Sequence, residues 1–229
     1  MDASEKTQSS AEVLSTVSYL AGMDSRLLKA IVQTAIRRRY QAGQVVFLEG
    51  EPCRGLYIVE DGWLKAVKTS SEGREQVLRF VAPGEAVNEV GVFAQDRNPA
   101  TVIALEPSAV WLIGQEMISK LLETHPELAR RVAESLAQRV LHLISLVEDL
   151  SLRTVEARLA KRLLDRANDE RLSRRPWATQ SEMAARLGTV LDVLNRALHQ
   201  LARDGLIEVE RHEIRILNRE GLRAKAMVD

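Results

Sequence analysis

Residues 179–206, TQSEMAARLGTVLDVLNRALHQLARDGL, constrain the fold of this chain more than any other stretch. Thr179 carries the hydroxyl of a helix N-cap, and Glu182 stands three residues on, at the acid position of a capping box. Met183, Ala184 and Leu187 then share one helical face. Gly188 follows at once, the residue best able to take a left-handed turn and reverse the chain. A second helix over residues 189–203 is predicted to bury Val190, Val193, Leu194, Ala197, Leu198 and Leu201. Its other face presents Thr189, Asp192, Asn195, Arg196 and His199. Two short helices about a glycine, the second with a polar outer face, make a helix-turn-helix. The plainer alternative is an ordinary helical hairpin.

Gly205 ends the second helix. Two short alternating runs follow, residues 206–210 and 213–217, separated by Arg211-His212, in the pattern of a small hairpin placed as a wing. The whole block resembles the C-terminal DNA-binding domain of the cyclic-AMP receptor protein and fumarate–nitrate regulator (CRP/FNR) family. Thr179, Glu182, Met183, Ala184, Leu187, Gly188, Asp192, Leu194, Asn195, Arg196 and Leu198 carry that resemblance. Val190 and Leu191 depart from it, standing where members usually have serine and arginine. The resemblance implies a DNA-binding set of Arg196, Asn195, Asp192, Thr189, Leu191, Arg186, Thr179 and Gln180. Arg196 is the expected guanine reader, while Thr179, Gln180 and Arg186 are expected on phosphates.

Charge agrees in its distribution. The chain is neutral overall, but residues 151–229 hold 16 basic and 12 acidic side chains, and residues 1–150 hold 16 and 20. Fourteen of the 16 are arginine, whose planar fork suits phosphate and guanine. The single cysteine, Cys53, excludes an internal disulfide framework and fits a reducing cytoplasm. No apolar run is long enough for a membrane span, and no signal peptide is visible in the sequence.

Residues 11–39 read as helical, with the basic triplet 37–39 as a solvated helix end favoured by the macrodipole. From Tyr40 to Trp111 the period shifts to short β-rich runs, with hairpin turns at Asp61-Gly62 and Glu72-Gly73. Such spacing predicts an antiparallel barrel or roll. Gly43, Val46, Gly50, Tyr57, Val59, Gly62, Lys65, Val67, Pro83, Gly84, Glu89, Gly91 and Phe93 resemble the effector domain of the same family, a cyclic-nucleotide-binding jelly roll.

In the phosphate-binding segment the resemblance is partial. Members that bind cyclic nucleotides have Gly-Glu, a short helix and then Arg-Ser or Arg-Thr. Here Glu89 holds the ribose position, Asn88 replaces the glycine, and Pro99 and Ala100 replace the arginine and hydroxyl. Proline brings neither charge nor N–H, and a buried phosphate without a cation is costly. Where hydroxyl side chains would meet the adenine, the chain has Leu143 and Ile144. The expected pocket, Glu89, Asn88, Pro99, Ala100, Arg97, Leu143 and Ile144, is therefore read as not built for cyclic AMP. The alternative is that Arg97 swings in to supply the missing charge. An iron–sulfur cluster would need several cysteines. Haem is open through His125, His142, His199, His212 or Cys53, none of them in a haem motif, so no cofactor is assigned. Cys53 could also serve as a redox sensor, although a lone thiol is more often incidental.

Residues 127–150 form the longest periodic run. Ala129, Ala133, Leu136, Val140, Leu143, Val147 and Leu150 repeat at alternating spacings of four and three, the a/d seam of a two-stranded coiled coil. The predicted dimer interface is Leu136, Val140, Leu143, Val147 and Leu150. A second set, Leu128, Val132, Leu141 and Ile144, is expected to pack on the roll. Residues 150–153 read as a hinge, and Trp177 as the anchor of a short strand beside the wing.

The expected fold class is α+β: an N-terminal antiparallel jelly roll with helices (1–125), a long central dimerisation helix and hinge (126–152), and a C-terminal winged helix-turn-helix (153–229). No catalytic constellation is present, and Glu89 and Asp96 are not placed together by anything in the sequence. The expected protein is a cytoplasmic, homodimeric transcription regulator. Its expected partners are double-stranded DNA, RNA polymerase and an unknown small-molecule effector. A sensory module acting through protein partners is the rival from another class.

Overall fold

The structure is a computed structural model that describes residues 15, 17, 20, 22–94, 97–166, 179–210 and 214–227. Asp96, Trp177, Arg211, His212 and the apolar positions 13 and 14 lie outside the described residues. Contacts divide the chain into two compact units, Met1–Lys68 with Leu78–Val140, and Thr69–Val77 with Leu141–Asp229.

In the first unit helix α1 spans Ser25–Thr34, and its N-cap Asp24 accepts a hydrogen bond from the Arg26 N–H at 3.1 Å. Eight strands follow: β1 (Ile36–Tyr40), β2 (Val45–Phe47), β3 (Gly55–Asp61), β4 (Leu64–Thr69), β5 (Glu75–Val81), β6 (Ala86–Val87), β7 (Thr101–Ala104) and β8 (Ser108–Gly114). A five-residue helix, α2 (Glu89–Phe93), sits between β6 and β7. The strands form two four-stranded sheets, ordered β1-β8-β3-β6 and β2-β7-β4-β5.

The sequence period is explained by which faces are covered. On β3, Tyr57 and Val59 point between the sheets, where they meet Phe47, Leu64, Val102 and Leu112. Leu56 and Ile58, on the opposite face, pack with Leu28, Ile31, Ile118, Leu121 and Leu128 under the helices. With both faces dry, the strand reads as a continuous apolar run instead of an alternating one.

The basic triplet 37–39 corrects the expectation of a helix end. Ala35 turns extended, and β1 pairs residue for residue with β8, Ile36 with Leu112 through Tyr40 with Ser108. The pairing satisfies the inner side of this edge strand's backbone, and long charged side chains stand along its open edge. Arg37 spans to Glu60 at 2.6 Å.

Helix α3 (Gln115–Thr124) leads into α4 (Pro126–Leu152), 27 residues and roughly 40 Å long at 1.5 Å per residue. Leu128 and Val132 are buried in the core beneath the roll, and Leu136 packs at its margin. Leu141 and Ile144, expected to pack there too, are exposed. They stand two to three turns beyond Val132, past the last residue of α4 that packs in that core.

The second unit holds the end of α4, then α5 (Val155–Arg166), α6 (Gln180–Arg186), α7 (Leu191–Arg203), β9 (Ile207–Val209), β10 (Ile214–Ile216) and α8 (Arg219–Ala226). Of residues 150–153, expected as a hinge, 150–152 continue α4 and Arg153 is a bend, after which Thr154 Oγ1 caps α5 by accepting from the Ala157 N–H at 3.2 Å. Arg153 braces the bend through Asp149 at 3.1 Å, and it also donates to the Ala226 carbonyl. Lys161 reaches both Asp149 oxygens at 2.8 Å. Among the described residues the core of this unit is built from Leu159, Leu163, Met183, Leu187, Leu194, Leu198, Leu201, Ile207 and Leu222.

Candidate nucleic-acid interface and effector site

Both ends of the recognition helix α7 are set by glycine. After α6, Gly188 adopts φ +64°, its N–H reaching Ala185 O at 3.4 Å, while the Thr189 N–H reaches Ala184 O at 3.0 Å. After α7, Gly205 adopts φ +70°, and the Gly205 and Leu206 N–H groups bond Ala202 O and Leu201 O, each at 3.0 Å. These are two Schellman caps, each needing a left-handed residue that L side chains adopt at a cost. At the start of α6, Thr179 Oγ1 accepts from the Glu182 N–H at 3.3 Å.

Leu194, Ala197, Leu198 and Leu201 are buried beneath α7, as the period predicts. Val190 is not: it is the exposed N-cap, one residue before the helix begins. The opposite face carries Leu191, Asp192, Arg196 and His199 exposed, with Thr189 and Asn195 half-buried. Thr179 and Gln180 are exposed at the start of α6, and Arg186 is half-buried at its end. In the wing, Arg215 and Glu208 are direct cross-strand partners and pair at 2.5 Å. Behind it, Lys225 binds Asp204 at 3.2 Å, which holds the Asp204 carboxyl below its ordinary range.

In the first unit the effector segment turns on Asn88, the one described non-glycine residue with positive φ, at +80°. Asparagine tolerates that conformation better than most side chains. Its amide donates to Asn98 Oδ1 at 2.9 Å, Gly55 O at 3.1 Å and Cys53 Sγ at 3.2 Å. Asn98, also buried, donates to Leu48 O at 3.0 Å. Burial pushes the Cys53 thiol up, so the thiolate is disfavoured.

Glu89 is 3% exposed. Burial pushes its carboxyl up to about 7, with Arg79 acting against the rise and Glu85 adding to it. Its direct partner is Arg139, which donates from Nη2 to Glu89 Oε1 and, at 3.3 Å, to Ala86 O. Arg79 donates to the same Ala86 oxygen at 2.8 Å. Pro99 is exposed and Ala100 is buried. Arg97 is exposed, its guanidinium donating to Gly50 O at 2.8 Å. Leu143 and Ile144 are exposed on α4. Of the expected pocket, then, the structure gathers Asn88 and Glu89 with Ala86, and it adds Arg79, Arg139 and Asn98. Arg139 had a sequence signal, standing four residues before Leu143 and so on the same face of the helix. Arg79, in the middle of a strand, had none.

Of the four histidines, His125 contacts Thr124 Oγ1 through Nδ1 at 2.8 Å, and His142 and His199 are exposed on separate helices. Among the described residues no three His, Cys, Asp or Glu side chains gather as a metal site would require. No described helix is long and apolar enough to cross a membrane.

Comparison with known proteins bears on both regions. Residues 37–125 match the cyclic nucleotide-binding domain, and residues 157–225 match the Crp-like helix-turn-helix domain. The HTH-type transcriptional regulator Cmr of Mycobacterium tuberculosis is 30% identical over 199 residues, spanning 87% of this chain and 80% of that protein. The CRP-like cAMP-activated global transcriptional regulator of the same species is 26% identical over 225 residues, 94% of this chain and 99% of that one. Among solved structures, a CRP/FNR-family transcriptional regulator from Thermus thermophilus matches with a TM-score of 0.65 at 26% identity, over 84% of this chain and 99% of that chain. FixK2 from Bradyrhizobium japonicum, at 24% identity, shares the fold with a TM-score of 0.71 over 85% of this chain and 98% of that chain.

Proposed function

Because the chain belongs to the CRP/FNR family of DNA-binding transcription regulators, we propose that two copies join along α4 and read a palindromic operator, under control of a signal other than cyclic AMP. It is a regulator and not an enzyme, and DNA is its partner. Residues 1–125 would sense, 126–152 would dimerise and 153–229 would bind DNA. Such a protein works in the cytoplasm and acts on RNA polymerase.

The observation that carries the dimer is the seam on α4. Val140, Leu143 and Val147 are 55%, 45% and 62% exposed in the single chain, at coiled-coil spacing. A two-stranded coiled coil would bury them. A two-fold axis along α4 would also present two copies of α7 to successive turns of the major groove. Arg196, exposed in the middle of α7, is suited to bidentate contact with guanine, with Asn195 and Asp192 beside it. Val140→Asp, which sets two carboxylates against each other in that seam, should give monomers on sedimentation and lose operator binding by about 100-fold or more, the loss of one of two half-sites. A Val140→Asp protein that stays dimeric would reassign the seam.

Control without cyclic AMP is supported by Pro99 and Ala100, which supply no cation, and by Arg97, whose guanidinium is engaged by Gly50 O. The second reading keeps cyclic AMP, since one relative is a cAMP-activated regulator. Calorimetry separates them. No heat with micromolar cyclic AMP or cyclic GMP is expected; micromolar binding that vanishes in Arg97→Ala would establish the alternative.

A further inference from the structure

We propose that Arg79 and Arg139 form the anion-binding pair of the effector site, gripping the acidic group of a small-molecule effector in competition with Glu89. The proposal rests on the reading of the roll as a sensor whose charge for a ligand is not supplied at positions 99 and 100.

The two guanidiniums come from different elements, β5 and α4, and converge. Each donates to Ala86 O, at 2.8 Å and 3.3 Å, so their donor nitrogens lie no further apart than those two bonds laid end to end. A carboxylate or phosphate group can bridge donors at such a spacing. Each faces a carboxylate of its own: Arg139 pairs with the buried Glu89, and Arg79 lies 3.7 Å from Glu85, whose side chain is half-exposed and solvent-screened. Arg139 Nε is enclosed and has no hydrogen-bond partner among the described residues. An enclosed guanidinium donor without an acceptor is what an oxyanion would satisfy.

Solvent still reaches both groups: the Arg139 and Arg79 side chains are 25% and 22% exposed. Glu89 then acts as the internal occupant. Its carboxylate holds Arg139 when no effector is bound, and an incoming oxyanion displaces it. Because Arg139 stands on α4 and Arg79 on β5, exchanging Glu89 for a ligand changes what ties the central helix to the roll. A purely structural pair would predict no such exchange.

The probe is sulfate, titrated into the full-length protein against sodium chloride at equal ionic strength, with thermal unfolding as the readout. Wild type should show a sulfate-specific rise in Tm that Arg79→Gln lacks. Glu89→Gln, which removes the competitor, should tighten the sulfate Kd, by about tenfold if the displaced contact equals one charge-assisted hydrogen bond. An equal rise in wild type and Arg79→Gln would mean an adventitious ion only, held by arginines elsewhere, and would overturn the proposal. Weaker sulfate binding in Glu89→Gln would overturn it as well. Cyclic AMP in the same assay keeps the two readings apart. A cyclic-AMP shift abolished by Arg79→Gln would support the arginine pair while refuting the exclusion of cyclic nucleotides; no shift with either ligand would leave that exclusion standing and end the proposal.

Discussion

The recognition segment, residues 179–206, and the effector segment, residues 86–100, are held differently. The first is held largely by bonds that span three to five residues, Thr179 to Glu182, Thr189 to Ala184 and Leu206 to Leu201, with Gln76 at the Arg186 carbonyl and Lys225 at Asp204 as its more distant ties. The second is fixed by partners 10 to 50 residues away: Asn88 to Asn98, Gly55 and Cys53, Arg97 to Gly50, Glu89 to Arg139. A locally wired segment tolerates little change, because each cap and turn demands its own residue type. A remotely wired one can lose a functional group and have another supplied from a distant element. Positions 99 and 100 carry no charge here, yet two guanidiniums from β5 and α4 stand at Ala86.

Breaking the local side should have the largest effect. Leu194 is fully buried beneath α7, in a core whose described members include no aromatic side chain. Leu194→Ala should destabilise the second unit by about 2–5 kcal/mol, the range for a large-to-small change in a closed aliphatic core. Denaturant unfolding followed in each unit would check it. Equal destabilisation of the first unit would mean that the two do not unfold as separate compact bodies.

The remote side is best sharpened through pH. Glu89 has its carboxyl raised from 4.5 to about 7 by burial, so the folded protein binds that proton more tightly than the unfolded chain does. Stability from this group is therefore full below about pH 4.5 and is lost as pH rises through 7. The loss is up to about 3 kcal/mol at 1.36 kcal/mol per unit. Glu89→Gln lacks the titration, so its stability relative to wild type should climb between pH 5 and pH 8. A flat difference would show that Arg139 holds the carboxylate ionised across the whole range.

This contrast also decides what could be read from the sequence. The helix-turn-helix was legible because Thr179, Gly188 and Gly205 each do in isolation what they do in the fold. The roll was legible from its short β-rich runs and α4 from its heptads, but Asp61-Gly62, expected as a hairpin turn, instead carries the chain from β3 in one sheet to β4 in the other. Residues 37–39 were misread because an arginine triplet at a helix-to-strand boundary has no period of its own, and pairing with β8 decides it. Leu141 and Ile144 were misread because the stripe of α4 continues past the last residue that packs in the core below the roll. Arg79 was invisible because nothing in EQVLRFV reports that position 86 is near; its role depends on a contact seven residues away across a turn, and on a helix 60 residues further along.

The central claim is that α7 reads base sequence through Arg196. The direct measurement is fluorescence anisotropy of wild type and Arg196→Ala on the selected operator and on a scrambled duplex, at one salt concentration. Arg196→Ala should lose about 1–3 kcal/mol on the operator, roughly 5- to 150-fold in Kd, while binding to the scrambled duplex changes little. Equal losses on the two duplexes would reduce Arg196 to a phosphate contact and contradict the account.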